Sequence, residues 1–366
     1  MFLALLIFLP TIIFFPHYLY AAGIFYIPKK FRIDLNLLII ITIIIISLVN
    51  RILHLSYNSN EFALIPYTAI YILTYFFSRS LDKKSLKFIL IFIFIESIVA
   101  ILEFIFSTPT FFKELVTSKL SQWYSSGLLY YQRSFGLSNN SSEIAFKIFV
   151  AFLILDLNVI SNRIYKNILY IIFFIGLIVT FNRSVIVSLL IFYFLKNIVT
   201  IKNILFKFKI RIYILIIIFL IITFILFYFD IIIEQFTRGI SITSDFQKRF
   251  AVTNYFLQFI SSHFFFGNGS YKLYYFYNNE FYHAHNSFLQ VFATHGFIIF
   301  LLYLILIINN IDRSNLKYIL PFIVLSLTQY GIFWGISILD IFFLYFLIFL
   351  KNDKSISKFN YNNYTC

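Results

Sequence analysis

Long apolar runs, separated by short polar turns, recur along this chain from one end to the other. A helix crossing a bilayer needs about 20 mostly apolar residues. In hydrocarbon each backbone N–H and C=O must be satisfied within the structure, which leaves helices or a closed barrel. The runs here are continuous rather than alternating, so they predict helices. Eleven candidates fall at roughly 2–27, 35–50, 62–78, 88–107, 143–160, 168–182, 184–199, 212–229, 287–308, 318–335 and 337–350. The first could be two short helices broken around Pro16, which would make twelve. The stretch 318–350 far exceeds one crossing, so a hairpin around Gly335 is expected.

Composition agrees. Charged residues make up 12% of the chain and hydrophobic residues 61%, against about 25% charged in soluble domains. The fold class expected is all-α: a polytopic helix bundle forming one membrane domain over 1–366. Met1 to Leu9 lacks a basic start and its apolar character runs on to Ile27, so this reads as a first membrane segment rather than a removable peptide. The excess of Ile, Phe, Asn, Lys and Tyr is the signature of an A/T-rich genome. The 22% aromatic content therefore carries no ligand reading by itself. Cys366 is the one cysteine, which excludes an internal disulfide and a Cys-rich metal site.

The net charge of +14 would suggest nucleic acid in a soluble protein. In a membrane protein Lys and Arg gather in cytoplasmic loops, and no nucleic-acid partner is expected. Nineteen of the 29 basic residues fall in one set of alternating loops: Lys29, Lys30, Arg32; Arg79, Lys83, Lys84, Lys87; Arg163, Lys166; Lys196, Lys202, Lys207, Lys209, Arg211; Arg313, Lys317; Lys351, Lys354, Lys358. They alternate correctly if the C-terminus is cytoplasmic. The outer face then holds two long segments, about 108–142 and 230–286, and the turn Asn182-Arg183-Ser184. Arg133, Arg183, Arg238, Lys248, Arg249 and Lys272 fall on that side, against the charge bias. For Arg238, Lys248 and Lys272 a solvated surface explains this. Arg183 is different, because it interrupts two apolar runs at the membrane surface.

Three polar constellations lie on the outer face. Gln132 to Asn140 precedes a helix that Ser141 or Ser142 can cap, and an Arg beside a helix N-terminus suits an anion. The stretch 246–260 has helical spacing and could lie along the membrane surface, and Gly267 and Gly269 allow a tight turn back toward the bundle. Last comes His283-Ala284-His285-Asn286, directly before the run from Phe288. The two histidines could bind a metal with His263 or His295 as a third ligand, or form a structural pair. They could also supply a general base, since a free imidazole titrates near pH 6.5.

The order of these motifs is informative. Arg133 to Asn140 precedes a helix; Asn182-Arg183-Ser184 separates two short helices; Arg249 is followed by His263 to Gly269; His283 to Gln290 leads into a helix containing Gly296. This order resembles the bacterial O-antigen ligase and O-antigen polymerase superfamily, over about 130–310. The chain departs from the family's usual pattern at Asn182 (usually Ser), at Asn139-Asn140 (usually Pro-Asn) and at Phe264 (usually Pro).

The resemblance implies a metal-independent glycosyltransferase with no cofactor, using a polyprenyl-diphosphate-linked oligosaccharide as donor. It implies a multi-pass protein of the bacterial inner membrane, in contact with membrane lipids and working at the outer face. A chain-length regulator and a flippase are the protein partners implied. Residue by residue, it assigns His285 as catalytic base, Arg183, Arg249 and Arg133 to the diphosphate, and Asn286, His283 and Asn140 to the sugars. The chemistry is coherent with that. A lipid diphosphate leaves at the membrane surface, the sequence has no Asp-x-Asp metal motif, and a guanidinium fork pairs with phosphate oxygens. The activity expected is repeat-unit polymerisation, with ligation to lipid A–core as the alternative. A flippase or permease is the reading from another class. Glu96 and Glu103, seven residues apart on one helix face, would be its functional charges.

The orientation has a direct check. In a Cys366→Ser background, a cysteine at position 275 should react with a membrane-impermeant reagent in intact spheroplasts, and one at position 358 should not. The opposite pattern inverts the topology.

Overall fold

The structure is a computed structural model that describes residues 1–28, 33–54, 71–112, 115, 133–205, 242–277, 280–329, 331–333 and 336–350. The expected run 212–229, most of 62–78, Arg238 and the basic tail lie outside the described residues.

The chain is mostly helical, as its apolar runs predict. In chain order the helices are α1 (Phe2–Phe8), α2 (Leu35–Leu53), α3 (Tyr71–Ser80), α4 (Lys83–Ile105), α5 (Ser141–Asp156), α6 (Arg163–Thr180), α7 (Arg183–Leu205), α8 (Ile242–Ser262), α9 (Ser287–His295), α10 (Phe297–Asn310), α11 (Leu316–Thr328) and α12 (Ile338–Leu344). Among the described residues, α2, α4 and α6 are long and apolar enough to cross a membrane, and Phe2–Thr11, α10, α11 and Ile338–Phe349 are shorter apolar helices. The first run is broken, with 3-10 turns at Leu9–Thr11 and His17–Tyr26 on either side of Pro16. The run 318–350 folds back as expected: α11 and α12 pack antiparallel, with Tyr318 stacked on Phe346 at 4.6 Å and Phe322 against Phe343 at 5.6 Å.

One expectation needs correction. The run 287–308 is two helices, α9 and α10, separated at Gly296. Among the described residues the all-α bundle carries one small antiparallel strand pair, β1 (Tyr275–Tyr277) and β2 (Glu280–Tyr282), with Tyr275 opposite Tyr282.

Helix α5 is the axis of the bundle. Ile144, Ala145 and every residue from Lys147 to Leu155 are buried, so it is enclosed on all sides, and it packs against α4, α6, α7 and α12. Its far end is fastened by Asp156, which takes Lys196 at 2.6 Å, Lys317 at 2.8 Å and the Tyr318 hydroxyl at 2.7 Å. The ends of α5, α7 and α11 therefore meet at one basic end, as the alternating loops require. Nearby, Asn36 and Asn310 exchange amide hydrogen bonds at 3.2 and 2.7 Å, tying α2 to α10.

Within the bundle, Lys147 is 1% exposed and meets Glu96, which is 0% exposed, at 2.9 Å. The ammonium also donates to the Thr11 carbonyl at 2.8 Å and lies over the Phe8 ring at 4.9 Å. One side chain thus joins α1, α4 and α5. Glu96 and Glu103, the two charges a transport pathway would need, are held in local contacts: Glu96 by Lys147, and Glu103 by main-chain amides described below.

Removing one partner strands the other charge in a dry interior. Lys147→Met should cost about 3–5 kcal/mol, and Lys147→Met with Glu96→Gln should recover most of that. Thermal unfolding in detergent across the double-mutant cycle measures it. Additive losses would mean the two groups are not coupled.

Candidate functional site

The polar loops gather at the opposite end of α5 from Asp156. Glu103 organises the first. Its Oε2 accepts from Phe135 N at 3.0 Å and Gly136 N at 2.7 Å, and its Oε1 from Phe111 N at 3.1 Å. Glu96 accepts from Ser138 Oγ at 2.6 Å. Ser134 N donates to the Val179 carbonyl at 3.1 Å, and Ile13 N to the Leu137 carbonyl at 2.8 Å. Segment 133–138 is therefore pinned to α4, to the end of α6 and to the chain after α1. Arg133 is buried at its start. At its end, Asn140 Oδ1 accepts from Ser142 N and Glu143 N, both at 3.0 Å. Asn140 is thus the cap of α5, in place of the Ser141 or Ser142 expected from sequence.

Helix α6 ends on Phe181 in the left-handed region (φ 50). The turn expected at Asn182-Arg183 follows. Asn182 Oδ1 accepts from Val185 N at 3.1 Å, and its Nδ2 donates to Ser142 Oγ at 3.2 Å. Arg183 is the first residue of α7 and is half-buried. The starts of α5 and α7 lie side by side, so two positive helix ends accompany this guanidinium.

Helix α8 buries Val252, Phe256 and Ile260 against Leu273, Ala284 and Ala293. Arg249 precedes Val252 by three residues and Phe256 by seven, so it lies on that same helix face. It is half-buried. After α8 the chain turns through Gly267 (φ +57) and Gly269 (φ +61). This turn repairs the break at Gly296. Asn268 N and Ser270 N donate at 2.9 Å to the carbonyls of Ala293 and Thr294, which end α9, and Phe297 N donates to the Phe264 carbonyl at 2.9 Å. Gly296 has φ +81, and a Cβ there would collide with the Phe265 carbonyl. From α2, Asn50 Nδ2 donates to the Phe266 carbonyl at 2.8 Å and to Ser270 Oγ at 3.2 Å, and Arg51 lies over the Tyr271 ring at 4.1 Å.

The hairpin then leads into His283 to Asn286. The rings of His283 and His285 are 4.5 Å apart, and both residues are half-buried. His285 has φ 50, an uncommon backbone for a residue with a Cβ. Asn286 Oδ1 accepts from Leu289 N at 3.0 Å and caps α9. Ser287 Oγ donates to the Gln329 carbonyl at 3.2 Å and accepts from Gly331 N at 3.0 Å and Ile332 N at 3.3 Å. On the other side of this segment, Asp340 of α12, a helix packed on α5, accepts from Phe333 N. Contacts therefore run from Asn182 to α5, and from α5 through α12 and the 331–333 segment to the start of α9. Arg133, Asn140, Arg183 and His283 to Asn286 share this end of the bundle, and Arg249 shares the α8 face that covers Ala284.

Residues 168–304 match the O-antigen ligase family. This match supports the O-antigen ligase and polymerase superfamily. The matched segment includes Arg183, Arg249, His283, His285 and Asn286, and leaves Arg133 and Asn140 outside. No curated protein and no solved structure matches the chain. The match supports an activity of the O-antigen ligase or polymerase type and a bacterial membrane protein.

In that light several contacts gain meaning. His263 is exposed and stacks on Phe259 at 4.3 Å, while His295 is buried with its ring 5.9 Å from Phe333. Among the described residues no group of three or more His, Cys, Asp or Glu could hold a metal ion. Sequence reasoning passed over Asn50, Arg51, Lys147, Ser287 and Asp340. Arg51 carried a signal, being a basic residue at the wrong end of an apolar run. Asp340 accepts from Phe333 N and from Ser337 Oγ (2.6 Å), fixing the loop that Ser287 holds from the other side.

The break at Gly296 is testable. Gly296→Ala introduces both a collision and an unfavourable φ, and should prevent recovery of monodisperse protein from membranes. A wild-type yield and melting temperature for Gly296→Ala would show that the α9–α10 junction is not as tight as described.

Proposed function

We propose that this protein is a repeat-unit polymerase for O-antigen or capsular glycan in the bacterial inner membrane, with its site at the outer face. The growing glycan is carried on a polyprenyl diphosphate. A hydroxyl of the non-reducing sugar of a second lipid-linked unit attacks the anomeric carbon of the donor. A new C–O bond forms, the bond from that carbon to the diphosphate oxygen breaks, and the polyprenyl diphosphate leaves with the electron pair. His285 takes the acceptor's proton. Arg183, Arg249 and Arg133 bind the diphosphate and stabilise the charge it gains. Asn286, His283 and Asn140 lie along the sugars; for the two asparagines that role falls to the amide nitrogen, since their Oδ1 atoms cap helices.

The observation that carries this reading is that the Arg183 turn and the His285 segment lie toward the same end of the bundle, within a stretch matching the O-antigen ligase family. A sugar hydroxyl is a poor nucleophile until its proton is removed, and a positioned base is typically worth about 10²–10⁴-fold. A planar guanidinium grips phosphate oxygens bidentately, which a lysine cannot reproduce. The divergent sequence favours a polymerase over a ligase, since each polymerase must fit its own repeat unit.

A deletion strain separates the two. A single repeat on lipid A–core marks the polymerase; loss of all glycan from core marks the ligase. With purified protein and the strain's own lipid-linked unit, Arg183→Ala and Arg249→Ala should each abolish or strongly reduce transfer, and Lys at either position should restore little. Lys272→Ala should be mild. His285→Ala should lose most turnover while donor binding persists, His283→Ala should lose less, and chelators should have no effect. Normal turnover with Lys at 183 and 249 would reduce those arginines to surface anchors. Activity lost in EDTA and restored by zinc would favour a metal site at the histidines.

A further inference from the structure

We infer that Gln290 is a positioning residue that sets the backbone carrying His285 against the acceptor hydroxyl, an inference that rests on His285 acting as the base. Gln290 is fully buried on α9. Its Oε1 accepts from Ala284 N at 2.9 Å. Its Nε2 donates to the Leu273 carbonyl at 2.8 Å and to Thr294 Oγ1 at 3.2 Å. One amide therefore ties the chain entering the hairpin, at Leu273, to the chain leaving it, at Ala284, and both to a rigid helix.

Ala284 lies between the two histidines, and the next residue is His285 with φ 50. A side chain bearing a Cβ holds that conformation where its surroundings impose it. The surroundings here are two anchors. Gln290 fixes the amide on one side of His285, and the Asn286 cap fixes the other through Leu289 N. Ala284 itself is packed in the cluster that α8 forms with Val252 and Phe256. The imidazole is thus delivered by a short segment whose hydrogen bonds are made to α9. A base must sit within hydrogen-bond reach of the proton it takes, so a loosened segment should lose rate before it loses affinity.

The test uses the full-length protein and two variants. Gln290→Met keeps the length of the side chain and removes its hydrogen bonds. Gln290→Glu, which this dry position holds as the neutral acid, keeps an acceptor for Ala284 N and a hydroxyl donor for the Leu273 carbonyl. If Gln290→Met does not fold, Gln290→Asn, one methylene shorter and out of reach of Ala284, takes its place. Hydrogen exchange at the Ala284 amide reads the clamp, and steady-state transfer from the strain's own lipid-linked unit reads the chemistry. Gln290→Met should speed exchange at Ala284 and lower kcat by roughly tenfold to a hundredfold. Its KM for the donor should stay within about twofold, the pattern of an interaction made at the reacting centre rather than in donor binding. Gln290→Glu should recover slow exchange and most of the kcat. Wild-type kcat in Gln290→Met despite fast exchange overturns the inference. So does an equal loss in both variants with exchange unchanged, which is the pattern of a packing defect. Near-normal turnover in His285→Ala refutes the reading on which the inference rests, and leaves the exchange result to stand by itself.

Discussion

The buried pair of Lys147 and Glu96 is the contact on which the rest of the site end depends. Charges are expensive in a bilayer and persist where they are paired and hydrogen-bonded. Here one carboxylate neutralises the lysine and also accepts from Ser138, and the lysine reaches the carbonyl of Thr11. Two turns farther along the same face of α4, Glu103 receives three main-chain amides. Helix α4 thus presents a column of carboxylates that shapes an otherwise irregular loop. Arg133 and the Asn140 cap of α5 follow from where that loop is set down.

The second half of the site uses the same physics with the roles reversed. Helix α9 ends inside the protein, where its last carbonyls have no water to turn to. The Gly267-Gly269 turn supplies N–H groups to those carbonyls, and the Phe264 carbonyl receives the first N–H of α10. Asn50 then satisfies that turn from α2. What reads as a loop beside a bundle is a set of donors and acceptors completing a broken helix.

This explains which parts were legible in the sequence. Apolar runs mark helices because hydrocarbon leaves few other choices, and Asn182-Arg183 showed itself by interrupting two of them. Gly267 and Gly269 announced a tight turn, and the histidine segment stood out as polar residues against an apolar helix. The break at Gly296 was hidden, since one glycine barely alters a hydropathy window flanked by Phe and Ile. The hairpin at 275–282 was hidden too, because a run of Tyr and Phe has no helical or alternating signature in so aromatic a chain. Lys147 and Glu96 are 51 positions apart, and nothing local announces that they meet. Asn140 and Asn286, which the resemblance assigns to the sugars, also cap helices through their Oδ1 atoms, a second use that the motif alone does not announce.

The contacts that seat the 264–271 turn are made mostly by main-chain atoms. Such contacts constrain where the chain goes and say little about which side chains it carries. Phe264 and Phe266 contribute carbonyls there, so the path itself depends less on those side chains than on the glycines that permit it and on Asn50, which caps it from α2. A fold wired in this way preserves its geometry as its sequence scatters. Relatives of this protein should therefore be found more readily by the spacing of a few small and amide-bearing residues than by overall identity.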